Sequence, residues 1–304
     1  MSHRELVVLG SASQVPTRHR NHNGYLLKWD GHGLLFDPGE GIQRQMTIFG
    51  VPTGAITRIC VTHFHGDHCL GLAGLCQRIS LDDVGHPVFV HYPASGQAFF
   101  ERLRYASIYD DRSDLRPMPI SEEGVVADMP DLRVEVRRLD HRVEAFGYRM
   151  VEPDGVSLDA QALRELGLKG PLVGELKERG RVQVGGRWVA LEDVSRPRIG
   201  QKAAFIMDTR FCDAAIALAD GVDILVCEST YLDADRELAQ KHGHMTATEA
   251  ARIAAEAGAG ILVLTHFSRR YPSASAFVQE AEKIHANVVA AEDGLRIQIP
   301  SRKR

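Results

Sequence analysis

One seven-residue stretch, Thr62-His63-Phe64-His65-Gly66-Asp67-His68, constrains this chain more than any other feature. A strand-like run, residues 58–62, leads into it, and a helix-like run, residues 70–79, follows. Four potential metal ligands therefore fall within six residues at a strand-to-helix turn. A strand sends successive side chains to opposite faces and a helix fans them around its axis, so neither could aim all four at one point. A turn can. Neutral imidazoles suit zinc, and the carboxylate adds charge for a second cation. Isolated histidines are mostly surface groups or hydrogen-bonded core residues, and His3, His32 and His285 are read in that way.

Apolar runs of strand length recur at residues 6–9, 25–29, 34–36, 59–62, 88–90, 134–139 and 148–151. After a break they resume at 203–207, 224–227, 261–265, 287–290 and 295–299. Helical periodicity marks 273–284 and 247–257, the latter with Ile253 and Ala254 on one face and Glu249, Arg252 and Glu256 on a polar side. Early strands follow one another directly, while later ones alternate with helices. That mixture predicts an α+β arrangement of layered sheets covered by helices, and not one doubly wound parallel sheet.

Several of the runs close on a polar residue. His141 follows VEVRRLD, Asp208 follows AAFIM and His266 follows GILVLT. A buried strand emerges there at a sheet edge, where loops can build a site. Asp208 alone reads as ordinary turn chemistry. Joined to residues 63–68, the series supplies seven ligands, enough for two metals sharing a carboxylate. Two cations about 3.5–4 Å apart suit phosphate-ester hydrolysis, because they create hydroxide near neutral pH and hold the charge that builds on phosphate.

The 304 residues suffice for a sizeable core, and 1–304 is read as a single domain. A net charge of −4 excludes a general nucleic-acid coat, so a polyanionic partner has to be met by local patches. The five cysteines include no C-x-x-C pair, which predicts free thiols in a reducing cytosol. No run of ~18 apolar residues suggests a membrane span. The first residues hold a strand-length apolar run without a signal-peptide core, which points to the cytoplasm.

Residues 156–198 look different. They are rich in Gly and carry eight basic residues (Arg164, Lys169, Lys177, Arg179, Arg181, Arg187, Arg196 and Arg198) against six acidic ones, with Asp154 just outside. Their apolar residues look too sparse for an independent core, and a hairpin is expected near Gly185-Gly186. The segment reads either as a tolerated surface insertion or as a projecting arm with a binding function.

The ligand series His63-x-His65-x-Asp67-His68, His141, Asp208 and His266 resembles the metallo-β-lactamase superfamily, which implies a four-layered αββα sandwich. That superfamily includes lactamases, thioesterases, lactonases and nucleases, so the ligands imply fold and metals but not substrate. Other stretches are similar to the ribonuclease Z family of tRNA 3′-processing endonucleases. They are Leu9-Gly10-Ser11-Ala12-Ser13 with Val15-Pro16-Thr17-Arg18-His19-Arg20-Asn21, and Phe36-Asp37-Pro38-Gly39-Glu40-Gly41. They continue with His141-Arg142-Val143, Phe146-Gly147-Tyr148-Arg149, Asp208-Thr209-Arg210, His244-Met245-Thr246-Ala247 and His266-Phe267-Ser268-Arg269-Arg270-Tyr271. Gly167-Leu168-Lys169-Gly170-Pro171-Leu172-Val173-Gly174-Glu175-Leu176 resembles that family's flexible arm. The likeness runs from residue 5 to about 299.

The resemblance implies a cytoplasmic homodimer with two zinc ions per subunit that removes the 3′ trailer of precursor tRNA and leaves a 3′-hydroxyl. His63, His65, His141 and Asp208 would hold the first zinc, and Asp67, His68, Asp208 and His266 the second. A bridging hydroxide would attack phosphorus, with Asp67 orienting and deprotonating it, and Glu228 with His244 would assist departure of the ribose 3′-oxygen. Unaided, Glu228 also reads as a cap partner near Ser229-Thr230, and His244 as preceding a cap at Thr246. The arm, 156–198, would clamp tRNA far from the cut. The Arg18-His19-Arg20 loop would disfavour tails ending in CCA, and Arg269 or Arg270 would reach the scissile phosphate. Another hydrolase of the same fold, arylsulfatase-like or a small-molecule phosphodiesterase, is the alternative.

Overall fold

Alternation in the first strand decides the layering. Leu6 and Val8 of Arg4–Gly10 join one hydrophobic core, while Val7 and Leu9 join another. The next strands repeat the split: Tyr25 and Leu27 go one way and Leu26 the other, Leu34 and Phe36 one way and Leu35 the other. The computed structural model describes residues 4–299; His3 lies outside them. Its first sheet runs in the order Arg296–Gln298, Arg4–Gly10, Gly24–Trp29, His32–Phe36, Arg58–Cys60, Val88–Pro93, Leu115–Ile120. The second runs Val288–Ala290, Ile261–Thr265, Ile224–Glu228, Lys202–Ile206, Phe146–Val151, Arg133–Arg138, Gly124–Asp128. Each sheet is antiparallel on one side and parallel on the other.

Phe36 of the first sheet stacks on Phe205 of the second, with ring centroids 3.7 Å apart, and meets Tyr148 edge-on. These rings fill the space between the sheets. Helices Ile42–Ile48, Leu72–Leu81 and Gln97–Arg104 cover the outer face of the first sheet. Asp213–Ala219, Ala247–Glu256 and Ser275–Ala281 cover that of the second. The result is the expected αββα sandwich. Leu72, Leu75, Cys76 and Ile79 are buried at helical spacing. Glu249 is buried rather than on a polar side. Its carboxylate accepts from the Thr246 amide at 2.9 Å, closing a capping box.

Two strands of these large sheets escaped the sequence pattern. Leu115–Ile120 carries Pro117 and Pro119, and Gly124–Asp128 has no buried residue. Both are edge strands, where proline is tolerated and no apolar run is needed.

Phe146–Val151 and Lys202–Ile206 are antiparallel neighbours, and the chain leaves one and enters the other through the Glu152 amide, which donates to the Gln201 carbonyl at 2.9 Å. The Glu152 carboxylate accepts from Arg4 (2.7 Å), Arg198 (2.8 Å) and the Gln201 amide (2.9 Å). Burial opposes its charge, but these partners hold it down at about 2. The chain between them forms its own small unit. Gly155–Leu158 pairs with Ser195–Arg198, helices Ala160–Glu165 and Pro171–Arg179 follow, and Arg181–Val184 pairs with Arg187–Ala190. Gly185 and Gly186 take φ of +56° and +82° at the hairpin turn expected there. The apolar residues are not too sparse for a core. Leu168, Leu176, Val182, Val189 and Val194 converge into one. They come one or two per element, so no linear window collects them.

His32 bonds Asp131 and His285 bonds the Gly260 carbonyl, as ordinary histidines do. All five cysteines are free. Among the described residues no helix is long and apolar enough to cross a membrane.

His91 is buried between strands beside Arg58, whose Nη1 donates to its Nε2 at 3.1 Å. Burial, then the guanidinium, pushes the imidazole down to about 4. The unfolded chain therefore takes up this proton first, near pH 6.5, so the stabilisation is complete above that value and is lost as pH falls toward 4. Between pH 7 and 4.5 wild type should lose about 2 kcal/mol more than His91→Gln in urea denaturation. Parallel losses in the two proteins would remove His91 from the acid response.

Candidate metal centre

Polar residues from the strand ends of two sheets meet at one edge of the sandwich. The first sheet sends Asp37 from the end of His32–Phe36 and Thr62 to His68 from the end of Arg58–Cys60. The second sends His141 after Arg133–Arg138, Asp208 after Lys202–Ile206, Glu228 at the end of Ile224–Glu228 and His266 after Ile261–Thr265. These loops at carboxyl ends of strands are where open sheets place ligands.

The seven predicted ligands fall into two adjoining groups. His63, His65, His141 and Asp208 offer ligand atoms all within 4.8 Å of one another, and so do Asp67, His68 and His266. A third such set is Asp208, His244 and His266. His63 Nε2 lies 3.0 Å from His65 Nδ1, and His141 Nε2 lies 3.3 Å from the same atom. Tetrahedral donors about 2.0–2.1 Å from a zinc ion stand roughly 3.3 Å apart, which these separations match. Asp208 divides its carboxylate. Oδ2 faces His63 at 3.4 Å and His141 at 3.6 Å, while Oδ1 faces His266 at 3.2 Å and His68 at 3.3 Å.

Hydrogen bonds behind the rings select their tautomers. His141 Nδ1 donates to the Gly243 carbonyl at 2.8 Å, and Gly243 holds φ +80° to present it. His68 Nδ1 donates to Asp37 Oδ2 at 2.8 Å. Thr62 Oγ1 gives its own proton to Asp37, so it accepts from His63 Nδ1 at 3.0 Å. Thr230 Oγ1 gives its proton to Glu228, so it accepts from His266 Nδ1 at 2.8 Å. Nε2 of His63, His141 and His266 is thereby left a bare lone pair facing a carboxylate, while that of His68 faces Asp208 with Asn23 Nδ2 3.3 Å away. Asp208 Oδ1 is buried with no hydrogen-bond partner. Lone pairs of nitrogen and oxygen converging at this range repel unless a cation lies among them, so the donor set fits divalent metal.

The charges agree. Burial opposes ionisation of Asp208 and Asp67, yet the surrounding imidazoles hold both carboxyls far below the usual range. Burial lowers His63, His65 and His141, which keeps them neutral and able to ligate. His68 is also penalised by burial, but Asp208, Asp67 and Asp37 together raise it well above its ordinary value. A site that draws protons this strongly draws cations for the same reason, and metal binding would release those protons.

Beside the two groups stands a buried pair. Glu228 Oε1 accepts from His244 Nδ1 and from the Thr209 amide, each at 2.9 Å; Oε2 accepts from Thr230 Oγ1 (2.7 Å) and the Thr230 and Met245 amides. Glu228 bonds Thr230, but no helix begins at Ser229-Thr230, so the plainer reading of a cap there does not hold, whereas Thr246 does cap the next helix. The pair exists in addition. Burial disfavours charge on both, but Glu228 and Asp208 raise His244 to about 9, and His244 lowers Glu228. The His244 ring lies 5.3 Å from that of His266 and 5.4 Å from that of His141.

Other expectations fared differently. Arg20 donates to the Tyr271 carbonyl at 3.0 Å and lies over Phe267, so it is packed, while Arg18 is exposed. Arg270 covers Tyr231 and pairs with Asp235 at 3.5 Å; Arg269 is exposed with no carboxylate partner among the described residues. The reading of single residues overlooked Asp37, although it closes the run 34–36 just as Asp208 closes its own. It also overlooked Thr230 and Gly243, whose roles depend on partners far away in sequence.

Residues 17–147 match the family model of the metallo-beta-lactamase superfamily, and residues 189–267 match that of a beta-lactamase superfamily domain. A ribonuclease Z of Streptomyces avermitilis is 57% identical over 99% of this chain and 100% of its own length. One of Chlamydia muridarum is 48% identical, with 99% of each chain covered. The solved human tRNase Z, short form, is similar with a TM-score of 0.71 and 26% identity, covering 97% of this chain and 99% of its own. A metallo-beta-lactamase-fold protein of Bacillus subtilis also reaches 0.71, at 19% identity over 98% and 100%, which is a likeness of fold.

Proposed function

Because the chain belongs to the ribonuclease Z family within the metallo-beta-lactamase superfamily, and is an endonuclease of tRNA 3′ processing, we propose that it removes the 3′ trailer at a pair of zinc ions and leaves a 3′-hydroxyl on the tRNA. The observation that carries the two-metal reading is Asp208, whose two oxygens face different sets of histidines. His63, His65 and His141 would hold one ion, and Asp67, His68 and His266 the other, with Asp208 shared. When bound, such ions stabilise charge on the phosphate and lower the pKa of water enough to supply a nucleophile near neutral pH.

The chain's own groups do the rest. Asp67 stays ionised and its Oδ2, fixed by the Gln14 amide at 2.7 Å, orients the attacking water and takes its proton. His244, held by Glu228, passes a proton to the departing ribose 3′-oxygen.

Residues 156–198 serve as the tRNA-binding arm. Their eight basic side chains are all exposed, and Arg164, Lys169, Lys177 and Arg187 have no carboxylate partner among the described residues. The enzyme works as a cytoplasmic homodimer. Free thiols suit a reducing compartment, and exposed Leu70, Leu81, Phe99, Tyr105 and Ile108 on and beside the helices of the first sheet suit self-association.

Replacing residues 168–189 with a Gly-Ser linker tests the arm. The candidate ligands lie outside this segment. Cleavage of a precursor tRNA should lose roughly tenfold or more in kcat/KM, about 1.4 kcal/mol of remote binding, while hydrolysis of bis-p-nitrophenyl phosphate persists. The salt dependence of tRNA binding should flatten by about one log–log unit per lost phosphate contact. Unchanged tRNA cleavage would make the arm a passive insertion.

A further inference from the structure

Asp293 takes no part in either ligand group, yet it is the knot of the loop that touches Asp67. The chain leaves Arg4–Gly10 at Ser11 and returns at Asn21, and the Ser11 and Ala12 amides both donate to the Asn21 carbonyl, at 3.1 and 2.9 Å. The Asp293 carboxylate grips both ends. Oδ1 accepts from Ser11 Oγ at 3.2 Å, and Oδ2 accepts from the Asn21 amide at 2.7 Å and from Gln45 Nε2 at 2.9 Å. Gln45 in turn donates to the Leu9 carbonyl at 2.7 Å, tying the carboxylate to the covering helix and the first strand. Three residues after Ser11, Gln14 adopts φ +58° and its amide donates to Asp67 Oδ2. The stretch between, Ala12–Ser13, pairs with Phe267–Ser268, directly after His266.

We infer that Asp293 is a positioning residue for Asp67, acting through the loop 11–21. Asp67 Oδ2 also faces His266 Nε2 at 3.4 Å and His68 Nε2 at 3.5 Å, so the direction of its lone pairs matters to everything that happens beside it. The Gln14 amide sets that direction, and the amide stays in place only while the loop ends are closed. A half-exposed loop of polar residues has little core to hold it, and a half-buried carboxylate satisfied by three donors supplies what the core does not. Burial pushes the Asp293 carboxyl up to about 6, against the pull of those donors, so the network carries a desolvation cost that a merely decorative residue would not. The inference rests on the reading of Asp67 as the group beside the reacting water.

The test is a mutant cycle in metal-saturated enzyme, with precursor tRNA and bis-p-nitrophenyl phosphate as substrates. Asp293→Ala should lower kcat on both by roughly 10–100-fold, as loss of a supporting partner around a metal ligand does, with little change in KM. Asp293→Asn, which keeps one acceptor oxygen, should recover part of the loss. In an Asp67→Asn background, with its residual activity, Asp293→Ala should cost little more, because the group it positions is already disabled. An unchanged kcat for Asp293→Ala, or the full loss repeated in the Asp67→Asn background, overturns the inference. If Asp67→Asn alone keeps wild-type kcat, the reading of Asp67 fails first and takes this one with it. Should Asp293→Ala not fold, Asp293→Asn carries the same comparison.

Discussion

Asp208→Ala should yield a folded protein that keeps less than one metal ion per chain, where wild type holds about two, and that has no measurable cleavage of precursor tRNA. The reason is the divided carboxylate. Removing it takes a charged donor from both groups at once, leaving His63, His65 and His141 with no anion to balance a dication and the other group with Asp67 alone. His141→Ala touches one group only and should leave the Asp67, His68 and His266 set able to bind. Metal analysis after gel filtration, set beside a cleavage assay with the product end mapped, separates the two variants. Equal metal content in Asp208→Ala and wild type would end the shared-carboxylate scheme.

Glu228→Gln and His244→Ala should each slow cleavage by ~10²–10⁴-fold, the usual cost of a lost general acid. The two side chains share one hydrogen bond and one proton path, so the double variant should be little worse than the poorer single one. Multiplicative losses would assign them separate tasks. Stability must be followed alongside, because Glu228 is fully buried and its five hydrogen bonds support three separate segments. Each donor left unsatisfied there costs about 1–3 kcal/mol. Metal content should stay at the wild-type level in both single variants, since neither residue belongs to the proposed ligand set.

The sequence was most readable where chemistry is local. His63 to His68 announce themselves by spacing, and the polar residues His141, Asp208 and His266 by their place at the ends of apolar runs. Strands buried on both faces, such as 6–9 and 34–36, stand out because nothing polar interrupts them. The edge strands Leu115–Ile120 and Gly124–Asp128 do not, since an edge faces solvent and needs no apolar run. The small core of residues 156–198 was hidden for a different reason. Leu168 and Val194 belong to one cluster although 26 positions separate them, and no window along the chain sees that. Asp37, Thr230, Gly243 and Asp293 share this limit. Each acts by holding a group brought to it from elsewhere, so its role has no signature until the fold supplies the partner.

The unit at 156–198 enters and leaves between two antiparallel neighbours whose backbones are already joined at Glu152 and Gln201. Topologically it is a hairpin turn that has grown. Such a turn can lengthen, shorten or be exchanged with little consequence for the strands beneath, because closing a longer loop costs only about 0.6 kcal/mol per doubling. Glu152, Arg4 and Arg198 clamp the two ends together at the base, so the host sandwich senses a short closed connection whatever lies beyond it. Descent with changing substrates could therefore rework this part of the chain, its reach and its charge, while the catalytic edge of the sandwich was left alone.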